Sequence, residues 1–242
     1  MFDKAEMKGF EIEFHSHAKA ILLEDFPQAV TELDSALEKI SIPIEDLVRG
    51  GGGEAKVTQS LRRKLASLGW QKHEFEIKKL IDGKERESIS HEIDHVRALP
   101  GGMIALEIEW NNKDPFFDRD LENFKRLHTE GAISVGIIIT RGSSLQQRIK
   151  PMILSFAQRH GFESFENLKR FEVSPTARQR REVERKINLG EPFYSAWATM
   201  FCSDKYGQAT THWRKLQDRV SRGVGNPCPL LLIGMPATVV MG

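Results

Sequence analysis

Cysteine is scarce in this chain: Cys202 and Cys228 are the only two in 242 residues, and they lie too far apart for a CxxC pair. A disulfide scaffold and a thiolate zinc site are therefore excluded as organising features, and a reduced pair is the expectation. Long hydrophobic runs are missing too, since nothing approaches the ~20 apolar residues that a membrane helix needs. Met1-Phe2-Asp3-Lys4 leads into a charged segment rather than a secretory leader. A cytoplasmic protein with no membrane attachment is expected. Internal repeats and low-complexity tracts are also absent, which excludes solenoids and disordered arrays. Net charge is only +1, but it hides an asymmetry. Residues 141–222 hold 16 Lys+Arg against 8 Asp+Glu, while the chain totals of 35 and 34 leave 19 against 26 elsewhere. Such polarity suits a basic part facing a polyanion and an acidic part carrying metal ligands or solvated helices. Many enzymes are uneven without such a partner, so charge alone decides nothing.

What is present reads as one α/β domain over residues 1–242. A helical part (1–68) precedes a sheet core (54–160) and an elaborated basic part (161–242). Residues 10–40 read as one or two helices, from Phe14, Ala18, Ile21 and Leu22 and then Val30, Leu33, Leu37 and Ile40, separated at Pro27. Residues 43–53 break the pattern and end in four glycines. A helix starts near Glu54, with Val57, Leu61, Leu65 and Leu68 on one face, and Gly69 stops it. Trp70 to Ile81, a turn at Asp82-Gly83, Ser88 to Val96, a turn at Pro100-Gly101-Gly102 and Met103 to Trp110 predict an antiparallel meander. Phe116 to His128 predicts an amphipathic helix. The apolar run Ile133 to Thr140 predicts a central strand covered on both faces. Further helices are expected at 145–160 and at Thr210 to Arg222, with an irregular basic stretch over 164–192 and a last strand from Pro229 to Met235.

The chemistry concentrates at Ile93-Asp94-His95-Val96 and Ala105-Leu106-Glu107-Ile108-Glu109-Trp110. Burying one carboxylate beside an apolar strand is costly, and burying three without a cation is far worse. Alternation places Glu107 and Glu109 on one face with Ile108 turned away. If the two runs pair, Asp94 meets that face and completes a cluster of hard oxygen ligands suited to Mg²⁺. Asp94, Glu107 and the Ile108 carbonyl would hold the ion. Glu109 would lie near a water attacking phosphorus, or bind a second ion, so one- and two-metal schemes both stay open. Zinc is not expected. His91 and His95 share a strand, where i,i+4 positions lie ~13 Å apart, unlike a helical ligand pair.

Asp94 followed by Glu107-Ile108-Glu109 at a hairpin resembles the PD-(D/E)XK nuclease core. The third position carries Glu109 instead of lysine, which resembles the BglII, BstYI and BamHI group of type II restriction endonucleases. The likeness extends through Ser90 to Asp94, Ala105 to Lys113, Phe117 to Leu121 and Val135 to Arg141, covering about residues 50–145, and loosely to Asn226-Pro227-Cys228-Pro229. It implies a mixed sheet flanked by helices, Mg²⁺-dependent hydrolysis of double-stranded DNA at a short palindrome, and a homodimer. It also implies a partner DNA methyltransferase and, as a guess, a GATC-centred site. A helix glutamate often joins the metal shell in that fold, which makes Glu54 a fourth catalytic candidate; a first-turn carboxylate offsetting the helix dipole is an equally open reading. Glu74 and Glu76 are weaker candidates for the same part.

DNA contacts are implied just beyond the metal strand, at Asn111, Asn112 and Lys113, and just beyond the next strand, at Arg141, Ser143 and Ser144. Asparagine can pair bidentately with adenine, and lysine can reach guanine or phosphate. The same residue types also make turns and helix caps. Arg178, Arg180, Arg181, Arg185 and Lys186 suit phosphate contacts, or a solvated helix face with Glu182 and Glu184. For the dimer interface the candidates are Phe116 to His128 and residues 145–160. Two other readings remain open at this point: a structure-specific or repair nuclease on the same core, and a DNA-binding protein without catalysis.

Overall fold

The computed structural model describes residues 1–50 and 53–242, apart from the side chains of Lys79, Arg86 and Glu87. Gly51 and Gly52 of the four-glycine run lie outside it. The N-terminal part holds α1 (Asp3–Met7), β1 (Glu11–His15), α2 (Ala18–Glu24), α3 (Pro27–Glu38), β2 (Ile42–Pro43), α4 (Ile44–Val48) and α5 (Lys56–Ser67). The centre holds β3 (Gln71–Ile81), β4 (Lys84–Leu99), β5 (Gly102–Glu109), α6 (Pro115–Thr129), β6 (Val135–Arg141) and α7 (Ser143–Arg159). The last part holds α8 (Phe165–Leu168), α9 (Ala177–Ile187), α10 (Phe193–Tyr206), α11 (Trp213–Ser221), β7 (Leu230–Met235) and β8 (Val240–Met241). Among the described residues no helix is long and apolar enough to cross a membrane.

Six strands form one mixed sheet in the order β1-β7-β6-β5-β4-β3, and β2 pairs with β8 in a separate short ladder. The meander is present as expected: β3, β4 and β5 are antiparallel neighbours. Asp82 and Gly83, at φ 50° and 73°, make the two-residue turn between the first two, a turn whose twist matches the strands and which favours glycine at its second position. From β5 the sheet turns parallel, through α6 to β6 and on to β7. Every residue of β6 and β7 is buried, as strands covered on both faces should be. One face packs on Leu61, Leu65, Ile149, Ile153 and Trp197 from α5, α7 and α10, together with Leu106 and Ile108 of β5. The other face packs on Phe117, Leu121 and Phe124 of α6 and Trp213 and Leu216 of α11, together with Ala105 and Ile138.

Three expectations need correction. Residues 11–15 are not helical: Glu-Ile-Glu-Phe-His forms the edge strand β1, antiparallel to β7. Phe14 and Ile12 pack on the core from one side of a period-two pattern, and the helix begins only at Ala18. The stretch 164–192 is not irregular, since α9 runs through it behind a reciprocal cap between Thr176 and Gln179. Helix α10 was not expected at all. Its residues are apolar around most of the circumference, because it is covered by both α7 and α9, so no polar stripe marks its period.

Packing of α6 on β6 is close. A Cβ on Gly136 would run into the Phe124 ring and lie 3.1 Å from Leu230. Gly136→Ala is therefore expected to destabilise the protein by about 1–3 kcal/mol, the usual range for overpacking, read from the midpoint of chemical denaturation.

Candidate active site

The parallel strands β5 and β6 end at the same edge of the sheet, with Glu109 paired to Thr140, and β7 ends beside them with Met235 opposite Arg141. Ligands of open α/β sheets bind outside such carboxyl ends. Both segments expected to contact DNA leave the sheet here.

On the α6 face of β5, Glu107 is 6% exposed and Glu109 3%. Asp94 reaches them from β4 through an irregularity in the ladder. Gln71 pairs with Val96 but His73 pairs with Ile93, so Asp94 and His95 together oppose Lys72. This is a β-bulge, a device that redirects a side chain and loosens pairing. The Asp94 amide donates to Glu107 Oε1 at 3.4 Å, and Asp94 itself is exposed. Asp94 thus lies beside Glu107, and Glu109 points inward rather than into solvent.

A fourth carboxylate, Asp120 of α6, is 1% exposed and stands within hydrogen-bonding reach of Glu109. Asp120 was not picked out from the sequence. Its signal was readable: Phe117, Leu121, Phe124 and Leu127 define the buried stripe of α6, and position 120 falls on it. Arg119 donates to Asp120 Oδ1 at 2.8 Å and lies 3.7 Å from Glu109 Oε1, with its guanidinium 4.4 Å from the Phe116 ring centre. Asn112 donates from Nδ2 to Glu109 Oε2 at 2.8 Å.

Burial, followed by the charges of Asp120 and Asp94, pushes the Glu107 carboxyl up from its ordinary 4.5 to about 9. Burial and Asp120 likewise raise Glu109, against the opposing hydrogen bond from Asn112 and the charge of Arg119. Asp120 is raised by burial although Arg119 opposes it. One cation therefore faces several carboxylates, and the cluster keeps protons that exposed carboxyls would lose. Asp120 Oδ2 is buried with no partner among the described residues. An all-oxygen, acidic donor set of this kind fits a hard divalent ion by its chemistry. Among the described residues no group of three His, Cys, Asp or Glu is placed to hold an ion.

The remaining candidates are placed as follows. Glu54 is bound to Arg62 at 3.0 Å and is not among the leading charges acting on Glu107 or Glu109. Asn111 is half-buried, while Asn112 and Lys113 are exposed at the sheet edge. Ser144 is exposed, its Oγ accepting from the Ala237 amide at 3.0 Å; the Ser143 amide, opening α7, donates to Glu11 Oε2 at 2.6 Å. Arg141 differs from expectation. It is 0% exposed, and burial draws it down to about 10. A side chain with no surface cannot touch a base, so the expected contact gives way to an internal role.

The family model described as "Restriction endonuclease BglII/BglIII" matches residues 10–235, most of the chain. The chain belongs to this family. No individual curated protein matches it. Membership makes this BglII-family chain a type II site-specific deoxyribonuclease, a hydrolase whose substrate is double-stranded DNA. The mixed sheet flanked by helices is that of a restriction-endonuclease-like fold.

The raised carboxyls give a pH dependence of definite sign. A group whose folded pKa is raised stabilises fully below its unfolded value and loses that contribution as pH rises through the folded one. For Glu107 the window runs from 4.5 to about 9. In EDTA the melting temperature is expected to fall as pH climbs through this window. Glu107→Gln should flatten the decline, and Mg²⁺ should oppose it; a metal-free melting temperature that rises across the window would contradict the assignment.

Proposed function

We propose that this BglII-family enzyme is a Mg²⁺-dependent homodimer that cuts both DNA strands at a short palindrome, for which the family resemblance suggests a GATC centre. The observation that carries the reading is the buried set Glu107, Glu109 and Asp120 facing Asp94 at a bulged hairpin, within a chain of that family. Asp94, Glu107 and the Ile108 carbonyl are the proposed metal ligands. When bound, the ion would neutralise charge developing on the scissile phosphate and offset the mutual repulsion of the carboxylates. Glu109 is the proposed acceptor for the proton of the attacking water. It can accept that proton only in its ionised form, which a bound ion would favour; Asn112 donates to its Oε2, and Arg119 stands 3.7 Å from its Oε1. Glu54 remains an additional carboxylate on the α5 side, held by Arg62.

Asn111, Asn112, Lys113, Ser143 and Ser144 are the proposed DNA contacts, because they leave the sheet at one edge beside the carboxylates. A palindrome is matched by a two-fold pair of subunits. For that pairing α6 and α7 are the proposed surfaces. A methyltransferase acting on the same site would protect the host's own DNA.

Plasmid DNA is expected to yield discrete fragments with Mg²⁺ and none with EDTA. Asp94→Ala and Glu107→Gln should each slow cutting by at least roughly 10²-fold, the scale of losing one electrostatic stabiliser, while leaving DNA binding intact in gel-shift assays. A random smear, or cleavage confined to branched DNA, would refute site-specific cutting.

A further inference from the structure

Among the described residues Arg141 is a buried cation with no acidic partner. Its Nη2 donates to Thr210 Oγ1 and to the Thr211 carbonyl, both at 2.6 Å, and its guanidinium stands 5.2 Å from the Tyr206 ring centre. Among the described residues its Nε and Nη1 have no hydrogen-bond partner. Burying an arginine this way costs stability, so its contacts call for a functional account.

Those contacts lead to the active site. Thr210 is bridged antiparallel to Lys113. The Thr211 amide donates to the Asn112 carbonyl at 2.9 Å, and the Asp114 amide donates to the Ala209 carbonyl at 3.1 Å. Segment 209–211 therefore holds Asn112, Lys113 and Asp114 by their main chain. Asn112, so fixed, donates its side-chain amide to Glu109 at 2.8 Å. Thr140, one residue before Arg141, is the ladder partner of Glu109. The guanidinium thus holds segment 210–211, which in turn pairs with the segment that carries both the exposed edge residues and the donor to the proposed base.

We propose that Arg141 is a positioning residue that couples the DNA-facing segment Asn112–Lys113 to Glu109 through Thr210 and Thr211, and that it does not itself touch DNA. The proposal rests on the reading of Glu109 given above. It predicts losses in the chemical step larger than those in DNA affinity, because the exposed surface cations are untouched.

Thr210→Val removes one acceptor of the clamp and leaves Arg141 in place; Arg141→Lys keeps the charge but not the fork. With a cleavable oligonucleotide, Thr210→Val is expected to lower kcat roughly tenfold, the kinetic equivalent of one hydrogen bond to a charged group, with KM within about twofold. Arg141→Lys should fall further on the same side. In a double-mutant cycle, Thr210→Val with Asn112→Ala should be no slower than Asn112→Ala alone, since both act along one path. Weakened DNA binding with unchanged kcat, or losses that multiply in the cycle, would overturn the proposal. Hydrogen exchange read by mass spectrometry supplies an arm independent of cleavage. Thr210→Val should speed exchange over 110–114, and unchanged exchange there would overturn the clamp. Should the wild-type protein cut no DNA at all, the functional reading falls while this arm still decides the coupling.

Discussion

Three carboxylates buried against a single guanidinium are the constraint around which the rest of this molecule is arranged. Glu107, Glu109 and Asp120 are each almost without solvent, and Arg119 is the cation that reaches two of them. Like charges in a low-dielectric site repel strongly, and several kcal/mol per ion is the usual scale of desolvation. The protein meets this load locally. Asn112 and Arg119 hold the two oxygens of Glu109, the bulge brings the Asp94 amide to Glu107, and α6 supplies an apolar stripe that fixes Asp120. The repulsion these contacts leave uncompensated is a cost to the fold that the divalent ion proposed above would relieve.

Geometry at the sheet edge follows from the same constraint. A flat ladder would have paired Asp94 regularly with β3. The extra residue opposite Lys72 interrupts that pairing and frees Asp94 toward the cluster. The switch from antiparallel to parallel strands at β5 then sends α6 across one face and returns the chain in β6. In this way the ends of β5 and β6 become neighbours, and segments far apart in sequence share one edge.

Much of this was legible in the sequence because it rests on local rules. The turn at Asp82-Gly83, the alternation around Glu107 and Glu109 and the buried run of β6 each declare themselves within a dozen residues. What stayed hidden depended on tertiary partners. The strand at Glu11–His15 carries an overlapping helical spacing, and only its pairing with β7 selects the period-two pattern. Helix α10 lost its amphipathic signature because neighbours cover it on two sides. Arg141 was expected to contact DNA because the family resemblance places contacts just beyond the buried strand; its burial is decided by Thr210, Thr211 and Tyr206, about 70 residues downstream. Asp120 lay in plain view on a helical stripe and was not picked out.

The start of α7 bears on how a polyanion can be held. A helix N-terminus is a natural seat for phosphate, but here the Ser143 amide is already taken by the Glu11 carboxylate from β1, and a side chain at Gly142 would collide with that same residue. The macrodipole is thus answered from within the fold. Cations at the surface are committed more loosely: Arg185 to Glu182, and Lys125 and Arg126 to Glu122. Such surface pairs contribute about 0–1 kcal/mol each, and a phosphate can replace the carboxylate at little cost. Any contact of such side chains with a DNA backbone would follow ionic strength, as counterion release requires. The buried clamp at Arg141, shielded from solvent, is insulated from that exchange.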